Sequence, residues 1–287
     1  MLQYLISGLT VGSTYGLTAL GFTIIFNTTG VINFAQGEFV MLGGMLSVVF
    51  AGMGLPLPLA VALAVLGTCL VGVAFERLAI RPVHDASVIR LIIITIGVGI
   101  LIRGLTMLLW GKDTFALKHF SGFTPINIMG ATMLPQTLWV LAITLALLIG
   151  LKAFFSGSII GKGMLACQYD PKAASLSGIS VPRMIMLSFA LSAFVGAVGG
   201  AILAPITMTS YDVGILLGLK GFAACIVGGL GNPFGAAFGG LILGVLESFG
   251  AGFISSAYKD AFTFIILLLL LFFKPSGLFG KARVERV

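Results

Sequence analysis

Few side chains in this sequence could take part in chemistry, and several of them stand inside apolar runs. Charged residues make up only 9% of the 287 residues. Lys220, Glu247 and Arg103 nevertheless fall within long apolar stretches. An ionisable group inside a membrane usually pairs or lines a wet cavity, because an unpaired one costs about 2.5–3.5 kcal/mol. We interpret Lys220 as a structural partner of Glu247 or as the lining of a passage. Arg103 is either a second partner for Glu247 or a group that extends outward to the surface.

The spacing of nearby glycines predicts which way the Glu247 side chain points. Gly240 and Gly244 precede it by seven and three residues, so all three share one face of a helix. A face of small residues lets helix backbones approach closely in lipid. Glycines four residues apart recur in the first apolar run, at Gly8, Gly12 and Gly16. We therefore predict that Glu247 points into a helix bundle.

A second polar group interrupts the stretch GVINFAQGEFVMLGG, from Gly30 to Gly44. Helix starts tolerate Asn and acidic residues, so one interpretation is a polar helix start at the membrane interface. The other is a discontinuous helix whose open amides and polar side chains line a passage at membrane depth. The candidate residues of such a passage are Asn33, Gln36, Glu38, Lys220 and Glu247.

Patterns typical of catalysis and metal binding are missing from the sequence. His84 and His119 fall in loops predicted on opposite sides of the membrane, so they cannot share a metal ion or form a catalytic pair. The three cysteines, Cys69, Cys167 and Cys225, show no CxxC spacing. GxSxG, HExxH and phosphate-binding loop motifs are absent. We predict no catalytic residues, no metal and no cofactor, and any ATP hydrolysis must occur on a partner protein.

Composition indicates a helical membrane protein. Hydrophobic residues make up 59% of the chain and the mean hydropathy is +1.16, against about 45–50% apolar residues in a soluble domain. The apolar segments are uninterrupted, unlike the alternating strands of a membrane barrel. The sequence predicts an all-α polytopic membrane protein, a single transmembrane domain over residues 1–287 with eight or nine spans. The candidate spans are 4–26, 32–53, 57–80, 88–110, 134–155, 184–206, 213–230, 235–254 and 261–273.

Positive charge predicts the orientation of these spans. The net charge is +7, and its distribution between apolar runs indicates topology rather than nucleic-acid binding. Three cation-rich segments are predicted to be cytoplasmic, and they hold Arg77, Arg81, Arg90, Lys152, Lys162, Lys172, Arg183, Lys274, Lys281, Arg283 and Arg286. With nine spans, the N-terminus lies outside and the C-terminus inside. The N-terminal MLQYLISG lacks the features of a removable signal peptide, so we expect it to begin the first span.

The number of spans also suggests an internal repeat. If the fifth span is a divider, spans one to four run opposite in direction to spans six to nine, as in an inverted repeat. The polar second span then corresponds to the glycine-rich seventh. Paired interrupted segments of this kind point to the transport pathway in secondary carriers. The alternative is that both are poor helices at the edge of a bundle.

Three stretches resemble the H-type permease subunit family of bacterial ABC importers for branched-chain amino acids. GVINFAQGEFVMLGG is similar to the family's hallmark near the start of its second helix. A second match, from Gly161 to Ile202, includes the family's cytoplasmic coupling segment, and a third, from Leu219 to Ser248, resembles its Gly-rich late helices. This chain departs from the pattern at Leu165, where relatives often have Arg, and in the less alanine-rich CQYD at 167–170.

The segment of about 157–182 is too polar to insert into a membrane. Its Asp170-Pro171 pair could cap a short amphipathic helix, which can dock in a groove of a partner protein. An ordinary solvated loop is the alternative. The resemblance implies that this segment couples the chain to an ATPase through Ala166, Asp170, Pro171, Ala174, Gly178 and Ile179.

The resemblance also implies a function and an assembly. The chain would be a permease in the bacterial inner membrane, surrounded by lipid and paired with a second homologous permease. Two cytoplasmic ATPase subunits and an external solute-binding protein would complete the importer, with no nucleic-acid partner. Related permeases carry urea, short amides and other small solutes, which leaves the solute open. A self-sufficient carrier or channel, with Glu38, Lys220 and Glu247 relaying protons or binding ions, is an alternative of another class, and an intramembrane enzyme is a distant third.

Overall fold

The computed structural model describes residues 1–83, 86–128 and 130–280. His84, Lys281, Arg283 and Arg286 lie outside the described residues. The helices in chain order are α1 (Leu2–Thr29), α2 (Gln36–Gly52), α3 (Leu57–Phe75), α4 (Val88–Trp110), α5 (Pro135–Gly157), α6 (Ile159–Tyr169), α7 (Pro171–Leu176), α8 (Val181–Thr207), α9 (Val213–Gly228), α10 (Pro233–Phe253) and α11 (Lys259–Phe273). A short hairpin, β1 (Ile126–Ile128) with β2 (Ala131–Met133), lies between α4 and α5.

All nine predicted spans are helical in the structure. Among the described residues, seven helical segments are long and apolar enough to cross a membrane, including α3 continued through π and 3-10 turns to Val83. The remaining two, α2 and α9, are apolar but shorter. The predicted all-α polytopic class is therefore confirmed. The two short helices are the same two that the sequence marks as polar or glycine-rich.

The bundle has two ends, which we call the upper and the lower face. The upper face is where α1 begins, and there the backbone N–H of Thr132 in β2 donates to Oε1 of Gln3 at 2.8 Å. The lower face is where α1 ends, and it carries α6, α7 and the segment after α11, whose Leu278 N–H donates to the Val227 carbonyl at 2.8 Å. The described cations of the three cation-rich segments lie in elements towards the lower face, at Arg77, Arg81, Arg90, Lys152, Lys162, Lys172, Arg183 and Lys274. Positive charge is thus concentrated at one end of the bundle.

The most extensive helix contact joins α1 to α10 along a seam of glycines. A methyl group built on Gly244 would overlap the backbone nitrogen of Gly12, and one built on Gly240 would overlap that of Gly16. Only glycine leaves room for backbones this close, and in lipid such approach provides the packing that holds helices together. Because Glu247 lies on the same face of α10, its side chain points into the bundle, as predicted, and is only 5% exposed.

Helix contacts recur between the two parts of the chain that α5 separates. In such a repeat α1, α2 and α3 correspond to α8, α9 and α10. The contact of α1 with α10 then has its counterpart in the contact of α8 with α3, and the contact of α2 with α8 has its counterpart in that of α9 with α1. The contacts of α2 with α3 and with α4 likewise recur between α9 and α10 and between α9 and α11. This correspondence is the one that the predicted inverted repeat requires, with α2 equivalent to α9.

We predict that replacing Gly244 with Ala lowers stability by about 1–3 kcal/mol, because the added methyl group must push α10 away from α1. The measurement is the apparent melting temperature of the detergent-solubilised protein. Gly104→Ala is the matched control, since a methyl group on Gly104 in α4 would meet no described atom within 4 Å. An equal melting temperature for the two variants would contradict the tight glycine seam.

Candidate functional site

The polar stretch from Gly30 to Gly44 turns back into the bundle before α2 begins. Gln36, the first residue of α2, packs directly against Gly21 of α1. Gly21 precedes the end of α1 at Thr29 by eight residues, a rise of about 12 Å along a helix. Helix α2 therefore starts well inside the bundle rather than at its lower edge. This geometry favours the second sequence interpretation, a discontinuous helix with its first turn at membrane depth.

Side chains in and around this stretch accept hydrogen bonds from the backbone N–H groups that the interrupted helix leaves free. The Val31 N–H donates to Thr29 Oγ1 at 3.1 Å, the Phe34 N–H to Thr95 Oγ1 at 3.1 Å, and the Ala35 N–H to Asn33 Oδ1 at 3.1 Å. Asn33 is completely buried. Its Nδ2 donor has no hydrogen-bond partner within the described residues.

Gln36 joins three helices through its amide. The hydroxyl of Ser192 in α8 donates to Gln36 Oε1, and Gln36 Nε2 donates to the Ser192 carbonyl at 3.3 Å. The same hydroxyl lies 2.9 Å from the carbonyl oxygen of Gly21 in α1. Gln36 and Ser192 are both fully buried. Both polar ends of the Gln36 amide are therefore occupied inside the protein, and its role here is to fix α2 against α1 and α8.

Glu38 is the partner of Arg103. The Nε of Arg103 in α4 lies 3.7 Å from Glu38 Oε1. The expectation that Arg103 pairs with Glu247 is wrong, and so is the expectation that it simply extends to the surface, because the inward start of α2 carries a carboxylate close to α4. The second oxygen, Oε2, is buried without a hydrogen-bond partner in the described chain. It faces Gly214 of α9, where a Cβ would lie 2.7 Å from it.

Lys220 and Glu247 form the centre of a buried network. Lys220 Nζ lies 2.8 Å from Glu247 Oε1, 2.9 Å from the Tyr15 hydroxyl and 2.6 Å from Asp260 Oδ1. The Tyr15 and Thr263 hydroxyls also donate to Glu247, at 3.0 and 2.7 Å. The predicted Lys220–Glu247 pairing is confirmed, whereas Tyr15, Asp260 and Thr263 were missed. An uncharged Tyr or Thr in an apolar run does not indicate from the sequence that it contacts a buried charge. Asp260 was recognisable only as an acidic residue at the start of the last span.

Two cavities lie in opposite halves of the bundle. The upper cavity, of about 440 Å³, is lined by Tyr15, Lys220 and Glu247, together with Thr207 at the end of α8. The lower cavity, of about 460 Å³, is lined by Asn33 and by residues of α1, α4, α6, α7 and α8. Of the candidate passage residues, Lys220 and Glu247 therefore line one cavity and Asn33 lines the other. Helices α2 and α9 touch in the region between the two cavities. Gly37 of α2 lies so close to Gly214 of α9 that a methyl group on Gly37 would overlap the Gly214 carbonyl oxygen.

The segment between α5 and α8 folds into two helices at the lower face. Asp170 caps α7, because its Oδ1 accepts from the N–H groups of Lys172 and Ala173 at 2.9 and 3.0 Å, as its sequence predicts. Gly178 ends the helix in a left-handed conformation, with φ of 84°. The other coupling candidates are placed around this turn: Pro171 begins α7, Ala174 is its buried residue, Ala166 lies in α6, and Ile179 follows Gly178.

Large apolar side chains on this segment point away from the bundle. Ile159, Tyr169 and Leu176 are 89%, 88% and 91% exposed. Sequence analysis missed Tyr169 and Leu176 as candidates, although both stand in a segment too polar to lie in lipid.

The fold and these buried polar groups define a polytopic helical membrane protein with an interrupted helix in each repeat-like part. Residues 4–271 match the family described as "Branched-chain amino acid transport system / permease component". The chain belongs to this family.

Two relatives illustrate a match over the full length of the chain. The high-affinity branched-chain amino acid transport system permease protein BraD of Pseudomonas aeruginosa is 35% identical, over 100% of this chain and 98% of BraD. The corresponding LivH protein of Escherichia coli is 34% identical, over 100% of this chain and 97% of LivH. Among solved structures, PsaBC of Streptococcus pneumoniae, in complex with a Fab, aligns with a TM-score of 0.50 at 17% identity, over 96% of this chain and 92% of that one. This structural likeness concerns the fold alone.

We predict that Lys220→Met destabilises the protein by about 3–5 kcal/mol, because Glu247 is left as a buried charge without its cation. The double variant Lys220→Met/Glu247→Gln removes the two buried charges and leaves Asp260, whose side chain is 45% exposed to solvent, so it should recover most of the lost melting temperature. Thermal unfolding in detergent compares the two variants. A double variant no more stable than the single one would show that the pair is not coupled.

We predict that Ser192→Ala lowers the free energy of unfolding by about 1–3 kcal/mol, because Gln36 Oε1 is left buried without a donor. Ser188→Ala is the matched control on the same helix. Ser188 is equally buried, but within the described part of the chain its hydroxyl bonds only to the Ile185 carbonyl of its own helix. Equal melting temperatures for the two variants would exclude a link between α2 and α8 through Gln36.

Proposed function

We propose that this chain is the membrane permease subunit of an ATP-driven importer for branched-chain amino acids. The observation that carries this proposal is its similarity, over the full length, to permeases of high-affinity branched-chain amino acid systems. The cavities agree with such a solute. Aliphatic residues line both cavities and suit a branched side chain. Examples are Ile25 and Ile185 in the lower cavity and Val11 and Leu217 in the upper cavity. A few polar groups in each cavity suit its charged head.

The proposed importer needs partner subunits. The sequence contains no phosphate-binding loop, so two ATPase subunits must supply the hydrolysis. The exposed Tyr169 and Leu176 of the α6–α7 segment provide an apolar surface that fits a groove on such a partner. Helices α4 and α11 bury few of their residues in this chain, and lipid or a second homologous permease would cover them. An external solute-binding protein would dock at the upper face.

The concentration of positive charge supports an orientation for this assembly. Cytoplasmic loops of membrane proteins carry an excess of Lys and Arg. The lower face would therefore lie in the cytoplasm of a bacterial inner membrane, with the N-terminus outside and the C-terminus inside. In this orientation the coupling segment meets cytoplasmic ATPases, and the upper cavity receives solute from outside.

Transport would proceed by alternating access between the two cavities. Lys220 and Glu247 would line the outer part of the pathway, Asn33 the inner part and Glu38 the closed region between them, whereas Gln36 holds α2 in place. Helix α6 packs on α1, α5 and α8, so a displaced coupling segment would move the helices to which α2 is fastened. ATP can drive this change only if the ATP-bound partner prefers one permease conformation.

Purification of the chain from its native membrane in mild detergent tests the proposal. We expect mass spectrometry to identify two ATPase subunits and a second permease. The reconstituted complex should accumulate leucine only with ATP and the external binding protein. Accumulation of urea or short amides instead would assign a different solute within the same family. Uptake by the isolated chain in response to a proton gradient would support the self-sufficient carrier and contradict the importer.

We predict that Leu176→Ser weakens binding of the ATPase subunits at least tenfold, because truncating an apolar anchor at an interface costs more than about 1.4 kcal/mol. The amount of ATPase that purifies with the permease measures this effect. Phe123→Ser is the matched control, since Phe123 is 71% exposed in the segment between α4 and β1, towards the upper face. Undiminished ATPase with Leu176→Ser would exclude α7 as the docking surface.

A further inference from the structure

The turn between α8 and α9 contains a strained backbone. Met208 directly follows α8 and has a φ of 60° and a ψ of 176°. Among the described residues it is the only residue other than glycine with a positive φ, and this backbone conformation is essentially restricted to glycine. The Met208 side chain is 52% exposed, so its burial recovers only part of the cost. Such strain persists only where the surrounding structure imposes it.

The residue after Met208 is held by a segment from another part of the chain. The Thr209 N–H donates to the Phe115 carbonyl at 2.8 Å, and the Phe115 N–H donates to the Thr209 carbonyl at 2.8 Å. Phe115 belongs to residues 111–125, which connect α4 to β1 at the upper face and which we call the strap. The Phe115 side chain packs against an apolar cluster of α2 and α4, formed by Met41, Leu42, Met45 and Ile102.

The strap has a second attachment, to α5 and α8. The Phe120 N–H donates to Oε1 of Gln136 in α5 at 3.1 Å, and Gln136 Nε2 donates to the Ile202 carbonyl in α8 at 2.8 Å. Leu117, between the two attachments, is buried. The strap is therefore fixed to α2, α4, α5 and α8, and it connects these helices to the turn before α9.

This turn borders the upper cavity. Thr207, the last residue of α8, lines the cavity, as do Leu217 and Lys220 of α9. Only residues 208–212 separate the two helices. A rotation of the backbone at Met208 therefore changes the direction from which the chain enters α9, and it moves the wall that α9 contributes to the cavity.

Strain and strap act against each other. Two backbone hydrogen bonds contribute a net free energy similar in size to the cost of one strained residue. When the bridge between Phe115 and Thr209 breaks, Met208 can return to a negative φ, and this relaxation offsets the lost hydrogen bonds. The bridged and the released arrangements of the turn therefore lie close in free energy, as a switching element requires.

We propose that Met208 is the hinge, and the strap the latch, of a gate on the upper cavity. With the bridge between Phe115 and Thr209 formed, the turn holds α9 in the arrangement described above. When the bridge opens, Met208 relaxes, the start of α9 moves and the upper cavity widens. The hinge depends only on contacts within this chain, whereas its use in import rests on the proposed function.

Met208→Gly tests the strain. Glycine adopts the Met208 conformation without steric cost, so the substitution removes strain from the bridged arrangement. Met53→Gly is the matched control, because Met53 is 70% exposed at the end of α2 and has an ordinary φ of −74°. The Met208→Gly variant should have the higher melting temperature of the two in detergent. A melting temperature equal to or below that of Met53→Gly overturns the hinge.

Thr14→Cys reports the opening of the upper cavity. Thr14 lines this cavity and is only 4% exposed, so alkylation of the introduced thiol follows the fraction of open cavity. Mass spectrometry measures this rate in the intact complex, with Cys69 on α3 as the internal reference. In this background Phe115→Ala, which removes the apolar anchor of the strap, should speed alkylation at least about fivefold. Met208→Gly, which favours the bridged arrangement, should slow it at least about fivefold.

Phe123→Ala is the matched control for the strap. Phe123 belongs to the same segment but is 71% exposed, so this substitution should leave the alkylation rate unchanged. If Phe115→Ala does not assemble, the comparison of Met208→Gly with the unsubstituted hinge decides alone. Equal alkylation with and without Met208→Gly overturns the gate.

Leucine uptake by the reconstituted complex separates this inference from the proposed function. Met208→Gly should slow ATP-driven uptake while the ATPase subunits still purify with the permease. Normal uptake together with equal alkylation of all variants refutes the gate and leaves the proposed function intact. The expected alkylation rates without leucine uptake by the wild-type complex retain the gate and refute the proposed function.

Discussion

The interrupted start of α2 depends on one constraint: a backbone N–H away from water must find an acceptor inside the protein. Thr29, Asn33 and Thr95 supply these acceptors along the connection from α1. Asn33 of GVINFAQGEFVMLGG, together with a threonine at the end of α1 and one in α4, therefore makes a helix break tolerable inside the bundle. The break in turn brings Glu38 to Arg103 and leaves the Asn33 amide in a cavity, so the candidate site follows from satisfying the backbone.

Close helix packing is the second condition for the site. The glycine seam holds α10 against α1, which brings Tyr15 to the pair formed by Lys220 of α9 and Glu247 of α10. In a looser bundle Lys220 and Glu247 could not meet, and each would stand in apolar surroundings at a cost of several kcal/mol. Packing and charge are thus interdependent here. The same interdependence places a buried ion pair in the wall of the upper cavity, in a protein with few charged residues.

The α6–α7 segment connects these buried features to the outside of the protein. Helices α6 and α7 cover the lower end of the bundle with Ala174 and Cys167 turned inward and Leu176 turned outward. One side of the segment therefore borders the lower cavity, and the other is available to a partner. A force applied from below reaches α1 and α8 directly, and through Gln36 and Ser192 it reaches α2. This arrangement gives the proposed importer a short mechanical route from its ATPases to its pathway.

The sequence by itself determined the class, the positions of the apolar helices, the segregation of cations and the inward direction of Glu247, because hydropathy, charge and helical periodicity are local properties. It also predicted the Asp170 cap of α7 and the family, because both depend on contiguous residues. Only the tertiary structure decided that Arg103 pairs with Glu38 and that Tyr15, Asp260 and Thr263 join the network of Lys220 and Glu247. It also decided that Gln36 binds Ser192, 156 positions along the chain. These contacts join residues that are far apart in sequence, and they depend on where α2 begins and how helices cross, neither of which local patterns specify.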